Sequence, residues 1–357
     1  MTNALSTSDP TPDPTPDPSS DQTPDPMPDP THIRFALHGG AGDVGRDADR
    51  ASLLPARAAL RQIAEAATAL LRTGGSALDA VTLAVELLEQ CPLFNAGVGA
   101  VLNRDGQPEL DAAVMRGTDR GCGAVAGIAR VQSPVRLARA VMEQTPHVLF
   151  AGVGAEALAR SLGLAMVEPD YFITPLRIEQ LEHARRSGTI TLDHDERTAE
   201  EASTQSVTPP ADPNAGGGFG TVGAVARDAH GRLAAATSTG GLTNKLPGRI
   251  GDTPLIGVGT FADDESCAIS CTGTGEAFIK AGFAQAVHAR MVLSDFSVHR
   301  ACAEALLSVR RYGGRGGCIA IGRDGHVELP FNSNAMFRAW LDELGQIRVA
   351  VRDDDAD

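Results

Sequence analysis

The chain has 357 residues, 42% of them apolar and only 4% aromatic, so any sizeable core must be built from Ala, Val, Leu and close glycine packing. The net charge of −14 gathers at the ends, with six aspartates ahead of Arg34 and four more after Arg352. The near-neutral middle argues against a nucleic-acid partner. No run of about 18 apolar residues occurs, so no membrane span is expected.

In chain order, residues 9–31 form a Pro-Asp tract, DPTPDPTPDPSSDQTPDPMPDPT. Proline fixes φ and removes donors while the aspartates repel one another, so residues 1–31 are expected to be a disordered tail. The tract has neither the basic n-region nor the apolar h-region of a secretory signal. The six cysteines, Cys91, Cys122, Cys267, Cys271, Cys302 and Cys318, show no CxxC spacing, so reduced thiols and a cytoplasmic protein are expected. Order is predicted to begin at IRFALHGGAG (33–42), an apolar strand running into glycines. Helical periodicity follows over 50–72 and 76–90, the second stretch opening at Ser76 as an N-cap. LDAAVMRG and GAVAGIAR read as buried strands, followed by helices near 134–144, 154–162 and 176–186.

From 189 to 220 the periodicity stops and gives way to acids, Pro209, Pro210, Pro213 and AGGGFG, a long linker. TVGAVARDAHGRLAAATST then reads as two strands joined by a turn at Asp228–Gly231. CAISCTGTG is a third strand leading into a helix near Glu276, GCIAIGRDGHVELPF a hairpin, and IRVAV (347–351) a final strand ahead of the acidic C-terminus. Strand pairs with helices grouped before and after them suggest sheets layered between helices.

The junction Gly220-Thr221 carries the chemistry. Cutting there would give Thr221 both a nucleophilic Oγ and a free α-amine, whose ordinary pKa of about 7.7–8.0 suits a general base near neutrality. A threonine paired with its own N-terminus is a recognised activated nucleophile. Glycine ahead of it would permit the strained backbone that an N→O acyl shift needs. On composition alone, a threonine opening a strand is equally an ordinary strand residue.

Six blocks change that balance: HGGAG, CPLFNAGVGAVLNRDG, ELDAAVMRG, GTVGAVARD, ATSTGGLTNKLPGRIGDTPLIGVGTFA and SCTGTGEAFIKA, in this order. Together they closely resemble the plant-type L-asparaginases, or isoaspartyl peptidases, of the N-terminal-nucleophile hydrolases, over roughly 33–188 and 220–345. The resemblance implies an α+β, four-layer αββα sandwich made as one precursor. Part of this single domain (32–188) precedes the linker (189–220), and part (221–345) follows it; 346–357 hold the final strand and tail. Cleavage would leave an α chain, 1–220, and a β chain, 221–357, with two αβ units pairing as a dimer of heterodimers. The linker exceeds the family's usual length, which bears on the rate of maturation but not on the cut site.

The resemblance also implies roles. Thr221 would be nucleophile and base, Thr239 would hydrogen-bond it, and Asn95 would support it. Arg249 and Asp252 would hold the substrate's α-carboxylate and α-ammonium, a chemically apt pairing since a zwitterionic head needs one cation and one anion close together. Thr272 and the Gly273 N–H would form the oxyanion hole, and Gly275 would leave room for the ammonium. Backbone carbonyls of Leu88, Glu89, Cys91, Phe94, Ala96 and Val98 would circle a structural sodium ion; no cofactor is needed for the chemistry. The substrates would be L-asparagine and β-aspartyl dipeptides.

Plainer readings stand beside these. Arg249 and Asp252 could be a surface ion pair, TGTGE a strand-to-helix turn capped by Thr274, Asn95 a turn residue, and HGGAG close packing around a structural His38. Two other functions are open. A glycosylasparaginase-type hydrolase would cut before threonine after an aspartate, where this chain has Gly220. Gly152-x-Gly154-x-x-Ala157, with Glu168 and Asp170 beyond, matches a dinucleotide fingerprint and would make an NAD-dependent oxidoreductase.

Overall fold

The protein is described by a computed structural model covering residues 28–42, 44, 50–188, 190 and 220–352. Most of the Pro-Asp tract, nearly all of the linker and Asp353–Asp357 lie outside these residues, as does the disorder expected of them. The chain is a mixed α+β protein. Before the linker come β1 (Arg34–Gly42), α1 (Arg50–Arg72), α2 (Ala77–Glu89), β2 (Leu110–Arg116), β3 (Cys122–Ile128), α3 (Pro134–Gln144), β4 (Leu149–Ala151), α4 (Gly152–Ser161) and α5 (Pro175–Ser187). After it come β5 (Val222–Arg227), β6 (Leu233–Thr239), β7 (Thr260–Ala262), β8 (Cys267–Gly273), α6 (Gly275–Ala281), α7 (Phe283–Ser294), α8 (Val298–Arg311), β9 (Gly316–Gly322), β10 (Val327–Glu328), β11 (Ala335–Leu341) and β12 (Ile347–Ala350).

Local chemistry sets the helix ends. Ser76 accepts the amide of Asp79 and starts α2, as the sequence predicts. Thr174 does the same for α5, with Pro175 in the first turn and Gly188 left-handed at the far end. The strands form an eight-stranded sheet, β12-β11-β1-β5-β6-β2-β3-β4, and a four-stranded one, β10-β9-β8-β7. In β5, Val222, Ala224 and Ala226 join a cluster that includes buried residues of α1, α2 and α3. Val225 faces the other way, into a cluster with β8, β9, α7 and α8. Both faces of the central strands are therefore buried, which is why β6 (LAAATST) lacks the alternation of a half-exposed strand. Small side chains let β1, β5 and β6 approach β8 and β9 closely.

The structure departs from the sequence reading in places. Order begins before residue 33, because Pro30–His32 form a 3-10 turn; the Asp29 amide donates to Ala229 and Arg227 to the His32 carbonyl. Strands β7 and β11 and helices α7 and α8 were not expected. β11 sits between β1 and β12, so the sheet's order owes as much to the C-terminal residues as to the strand that opens it. The GVGAEA match opens α4 behind β4, a three-residue edge strand parallel to β3, next to antiparallel pairings. One parallel step at an edge makes no dinucleotide-binding crevice between parallel strands.

Candidate active site

Thr221 lies one residue ahead of β5, almost buried, at the end of the layer between the two sheets. Its Oγ1 donates to Thr239 Oγ1 at 3.0 Å, and the same oxygen of Thr239 accepts the Gly241 amide at 3.0 Å. The two threonines meet because Val222 pairs with Ser238 across β5 and β6, placing Thr221 opposite the last residue of β6. Asn95 stands in a supporting position but does not reach Thr221 by any bond shown. Its Oδ1 accepts the amides of Val101 (2.9 Å) and Gly240 (3.2 Å), and its Nδ2 donates to the Gly241 carbonyl (2.8 Å). It thus pins the turn after Thr239.

The sequence reading assigned the unusual backbone to Gly220; the structure assigns it to Gly40. Gly220 is not among the left-handed residues, and a side chain there would meet only ordinary contacts, the nearest at 3.5 Å. Gly40 has φ +119°, and a Cβ on it would stand 2.2 Å from the Gly220 nitrogen. The register of β1 against β11 shifts between His38 and Gly40, so a bulge turns this end of the strand across the junction. The HGGAG segment, read as packing, in fact abuts the bond ahead of Thr221. His38 is fully buried, with Nδ1 2.9 Å from the Thr221 carbonyl oxygen. Burial pushes its pKa down to about 3, against the pull of that hydrogen bond.

Thr272 is buried near the end of β8. Its Oγ1 accepts the Ala41 amide at 3.1 Å and lies 3.5 Å from where a side chain on Gly220 would begin. Gly273 follows with φ +140°, turning the strand toward α6. Thr274 occupies the N-cap position, but its hydroxyl accepts from the Arg315 amide rather than capping the helix. A Cβ on Gly275 would lie 2.8 Å from Asp252 Oδ1 and 3.0 Å from Arg249 Nη2, so these three residues share one small space.

That space holds a charge the sequence reading missed. Arg249 makes its ion pair with Glu276, Nε and Nη2 donating to the two carboxylate oxygens at 2.8 and 2.7 Å, and not with Asp252. The hydrogen bonds from Arg249 hold the Glu276 carboxyl below its usual range. The side-on edge of the guanidinium is thereby used, leaving the end-on Nη1/Nη2 edge for another carboxylate. Asp252 is buried, and its Oδ2 has no hydrogen-bond partner. Burial pushes its pKa up to about 7, with Arg249 acting in the opposite direction. An unpartnered buried carboxylate oxygen suits an incoming cation. Behind these residues sits Lys245, also missed: it is 1% exposed, and its Nζ donates to the Glu109 carbonyl at 3.0 Å. Burial lowers its pKa, opposed first by Asp111. Nothing in the sequence marked Glu276 or Lys245 beyond their place inside the TGTGE and TNKLPGR blocks.

The loop after α2 curls so that Val98 donates to the Glu89 carbonyl at 2.7 Å, Cys91 to Leu88 at 3.1 Å and Phe94 to Cys91 at 3.3 Å. Among the described residues no group of three or more His, Cys, Asp or Glu could hold a metal ion. Nor, among the described residues, is any helix long and apolar enough to cross a membrane.

A hydroxyl pair, a glycine-lined approach, a hydroxyl facing the junction, and a cation and anion side by side make an array suited to acyl transfer from a zwitterionic amide. Comparison with known proteins agrees. The family whose model is described as asparaginase matches residues 31–351. The chain is 50% identical over 307 residues to an isoaspartyl peptidase of Salmonella typhimurium, covering 85% of this chain and 94% of that protein. It is 48% identical to the isoaspartyl peptidase of Escherichia coli over 85% of this chain and 91% of the relative. A probable isoaspartyl peptidase/L-asparaginase of Arabidopsis thaliana is 40% identical over 88% and 98%. With the match spanning both sides of the linker, the chain belongs to the asparaginase family.

Proposed function

We propose that this chain is an autoprocessing threonine amidohydrolase that hydrolyses L-asparagine to L-aspartate and ammonia and removes N-terminal β-aspartyl residues from dipeptides. The observation that carries the reading is the convergence on one junction of the Thr221–Thr239 hydroxyl pair, Gly40 and Thr272. In the precursor, Thr221 Oγ attacks the Gly220 carbonyl carbon and the acyl group moves from N to O, which breaks the peptide bond and frees the α-amine; water then splits the ester, freeing the Thr221 hydroxyl and leaving a carboxylate on Gly220. In the mature enzyme the α-amine takes the Oγ proton as Oγ attacks the side-chain amide carbon of the substrate. The oxyanion is met by the Thr272 hydroxyl and the Gly273 N–H. Collapse expels ammonia, or the amine of the next residue, with the proton the α-amine carried, and water hydrolyses the acyl-enzyme. Thr239 holds the nucleophile and Asn95 holds the turn that carries Thr239. Arg249 through its open edge and Asp252 through its orphan oxygen receive the α-carboxylate and α-ammonium, in a space kept open by Gly275.

The stacking of the sheets and helices supports the four-layer αββα reading, one domain spanning 32–188 and 221–345. The carbonyls of Leu88, Glu89, Cys91, Phe94, Ala96 and Val98 fit a sodium ion: they are hard oxygen donors on one curled loop. Glu89 and Cys91 each accept one amide and keep a second lone pair. The ion would only stiffen the segment bearing Asn95. The dimer of αβ units and the cytoplasmic location are carried over from the sequence reading.

The test is the N-terminal sequence of the smaller fragment of the purified protein, expected to begin Thr-Val-Gly-Ala-Val. Thr221→Ala should remain a single chain. A different start would remove Thr221 as nucleophile.

A further inference from the structure

The mature enzyme described above has an unusual mechanical problem. Its nucleophile and base are one residue at a chain terminus, and chain termini fray unless tied down. Thr221 lies outside the strand ladder: pairing begins with Val222 opposite Ser238 on one side and Gly223 opposite His38 on the other. Once the Gly220 bond is cut, nothing on its N-terminal side restrains it.

Among the described residues, two side chains hydrogen-bond to it. Thr239 holds the hydroxyl at 3.0 Å, and His38 Nδ1 meets the carbonyl oxygen at 2.9 Å. The Cα is tetrahedral, so fixing the carbonyl and the Cβ–Oγ arm leaves one place for the amine. The His38 contact is therefore half of what aims the base.

The contact is directional. A carbonyl can only accept, so Nδ1 carries the proton; the ring is neutral, so Nε2 is bare and accepts. Ser270 Oγ lies 2.9 Å from Nε2 and 2.7 Å from Thr237 Oγ1, and Thr237 Oγ1 accepts from Thr260 Oγ1 at 2.7 Å. With Nε2 as acceptor, Ser270 donates to the ring and Thr237 donates to Ser270. All four side chains are fully buried, and they come from β1, β8, β6 and β7, so the chain of bonds crosses between the two sheets. A Cβ on Gly223 would stand 1.9 Å from Ser270 Oγ and 2.6 Å from His38 Nε2, so the strand leaves a slot for this link. Buried hydroxyls in an otherwise apolar layer cost free energy unless bonded. At its far end the network also reaches backbone carbonyls, with Thr260 Oγ1 3.0 Å from that of Thr253 and Thr237 Oγ1 3.4 Å from that of Gly259; on the His38 side it ends on the Thr221 carbonyl oxygen.

We propose that His38, oriented by Ser270, Thr237 and Thr260, is a positioning residue that clamps the Thr221 carbonyl and so aims the α-amine of the mature enzyme. This rests on the reading of Thr221 as nucleophile. His38 neither touches substrate nor moves a proton. Its loss lowers kcat and spares KM, because the substrate head binds elsewhere, at Arg249 and Asp252.

The experiment uses the full chain with His38→Leu, which removes the donor, and His38→Asn, whose amide N–H can stand where Nδ1–H stood. Intact mass follows cleavage, and kcat and KM for L-asparagine are measured on the cut protein. His38→Leu should lose roughly 100-fold or more in kcat, the scale of an ångström's misplacement of a reacting group, with KM changed less than about threefold. His38→Asn should keep kcat within about tenfold of the unaltered enzyme, since it restores one hydrogen bond. Ser270→Ala should cost a few-fold in the unaltered enzyme and nothing further in His38→Asn, which lacks the ring nitrogen it serves. If His38→Leu keeps its kcat, or His38→Asn is as damaged as His38→Leu, the clamp is wrong. Should His38→Leu stay uncut or fail to fold, His38→Asn decides alone: it must mature and turn over, and an inert His38→Asn overturns the proposal. Failure of the underlying reading would look different, since the unaltered protein itself would then yield no fragment beginning at Thr221.

Discussion

Replacing Arg249 by alanine separates substrate binding from self-cleavage. The Gly220-Thr221 bond proposed to be cut carries no free α-carboxylate, so Arg249→Ala should mature into two chains just as is expected of the unaltered protein. Turnover should suffer in two ways. The end-on edge of the guanidinium is lost, and a hydrogen bond to a charged group is worth about 1.5–3 kcal/mol. Glu276, now bound at 2.7 and 2.8 Å, is left facing the same space as Asp252, so the incoming carboxylate meets negative charge where it met a cation. Because Glu276 is half exposed, solvent screens that penalty to about 1 kcal/mol or less. The sum, about 1.5–4 kcal/mol, corresponds to a fall of roughly 10- to 1,000-fold in kcat/KM for L-asparagine. Arg249→Lys should recover only part, because an ammonium cannot serve Glu276 and the substrate with separate edges. Asparagine amide, which lacks the α-carboxylate, should be a poor substrate of the unaltered enzyme and should lose little more in Arg249→Ala. The assay is kcat/KM for both substrates on all three proteins. Equal losses on the two substrates would show that Arg249 acts only through Glu276, as a structural pair, and would refute this placement of the head group.

Gly40→Ala puts a Cβ 2.2 Å from the Gly220 nitrogen at φ +119°, a clash of backbone against backbone, so the precursor should stay largely uncut. Intact mass over time checks this, and cleavage at the normal rate would show that the segment around Gly220 is placed differently. Gly275→Ala should mature normally but raise KM for L-asparagine by roughly 5- to 100-fold, the effect of about 1–3 kcal/mol of overpacking, since the new methyl lies 2.8 Å from Asp252 Oδ1. The Asp252 carboxyl, raised from 3.8 to about 7 by burial, must be ionised to hold an ammonium, so kcat/KM should fall as the pH drops below about 7. Protonation of the α-amine acts in the same direction, and a profile flat from pH 6 to 8 would contradict both. For stability the sign is opposite. The folded state holds the Asp252 proton in a window where the unfolded chain has released it, so stability is lost as pH rises from about 4 to about 7. Asp252→Asn should therefore melt higher than the unaltered protein at pH 8.

Sequence by itself determined many of the local elements and singled out the residue proposed to react. Ser76 followed by an acid three residues on marks the start of α2, because capping is a contact between near neighbours in the chain. Thr221, Thr239, Thr272, Arg249 and Asp252 could be named because they sit in contiguous blocks whose chemistry is local and whose resemblance to a family is specific. Strands β7 and β11 escaped notice: one is three residues long, and the other, AMFRAWL, takes its place only by pairing between β1 and β12. Tertiary structure alone decided which glycine the junction needs, since Gly40 and Gly220 are far apart in sequence and meet only through a bulge in β1. It also decided that Glu276 takes one edge of Arg249, that Asn95 holds the turn rather than the nucleophile, and that His38 reaches the Thr221 carbonyl. Each of these is a distance between residues from separate elements. Such distances depend on strand order and register, which the sequence encodes only through the packing of the whole chain.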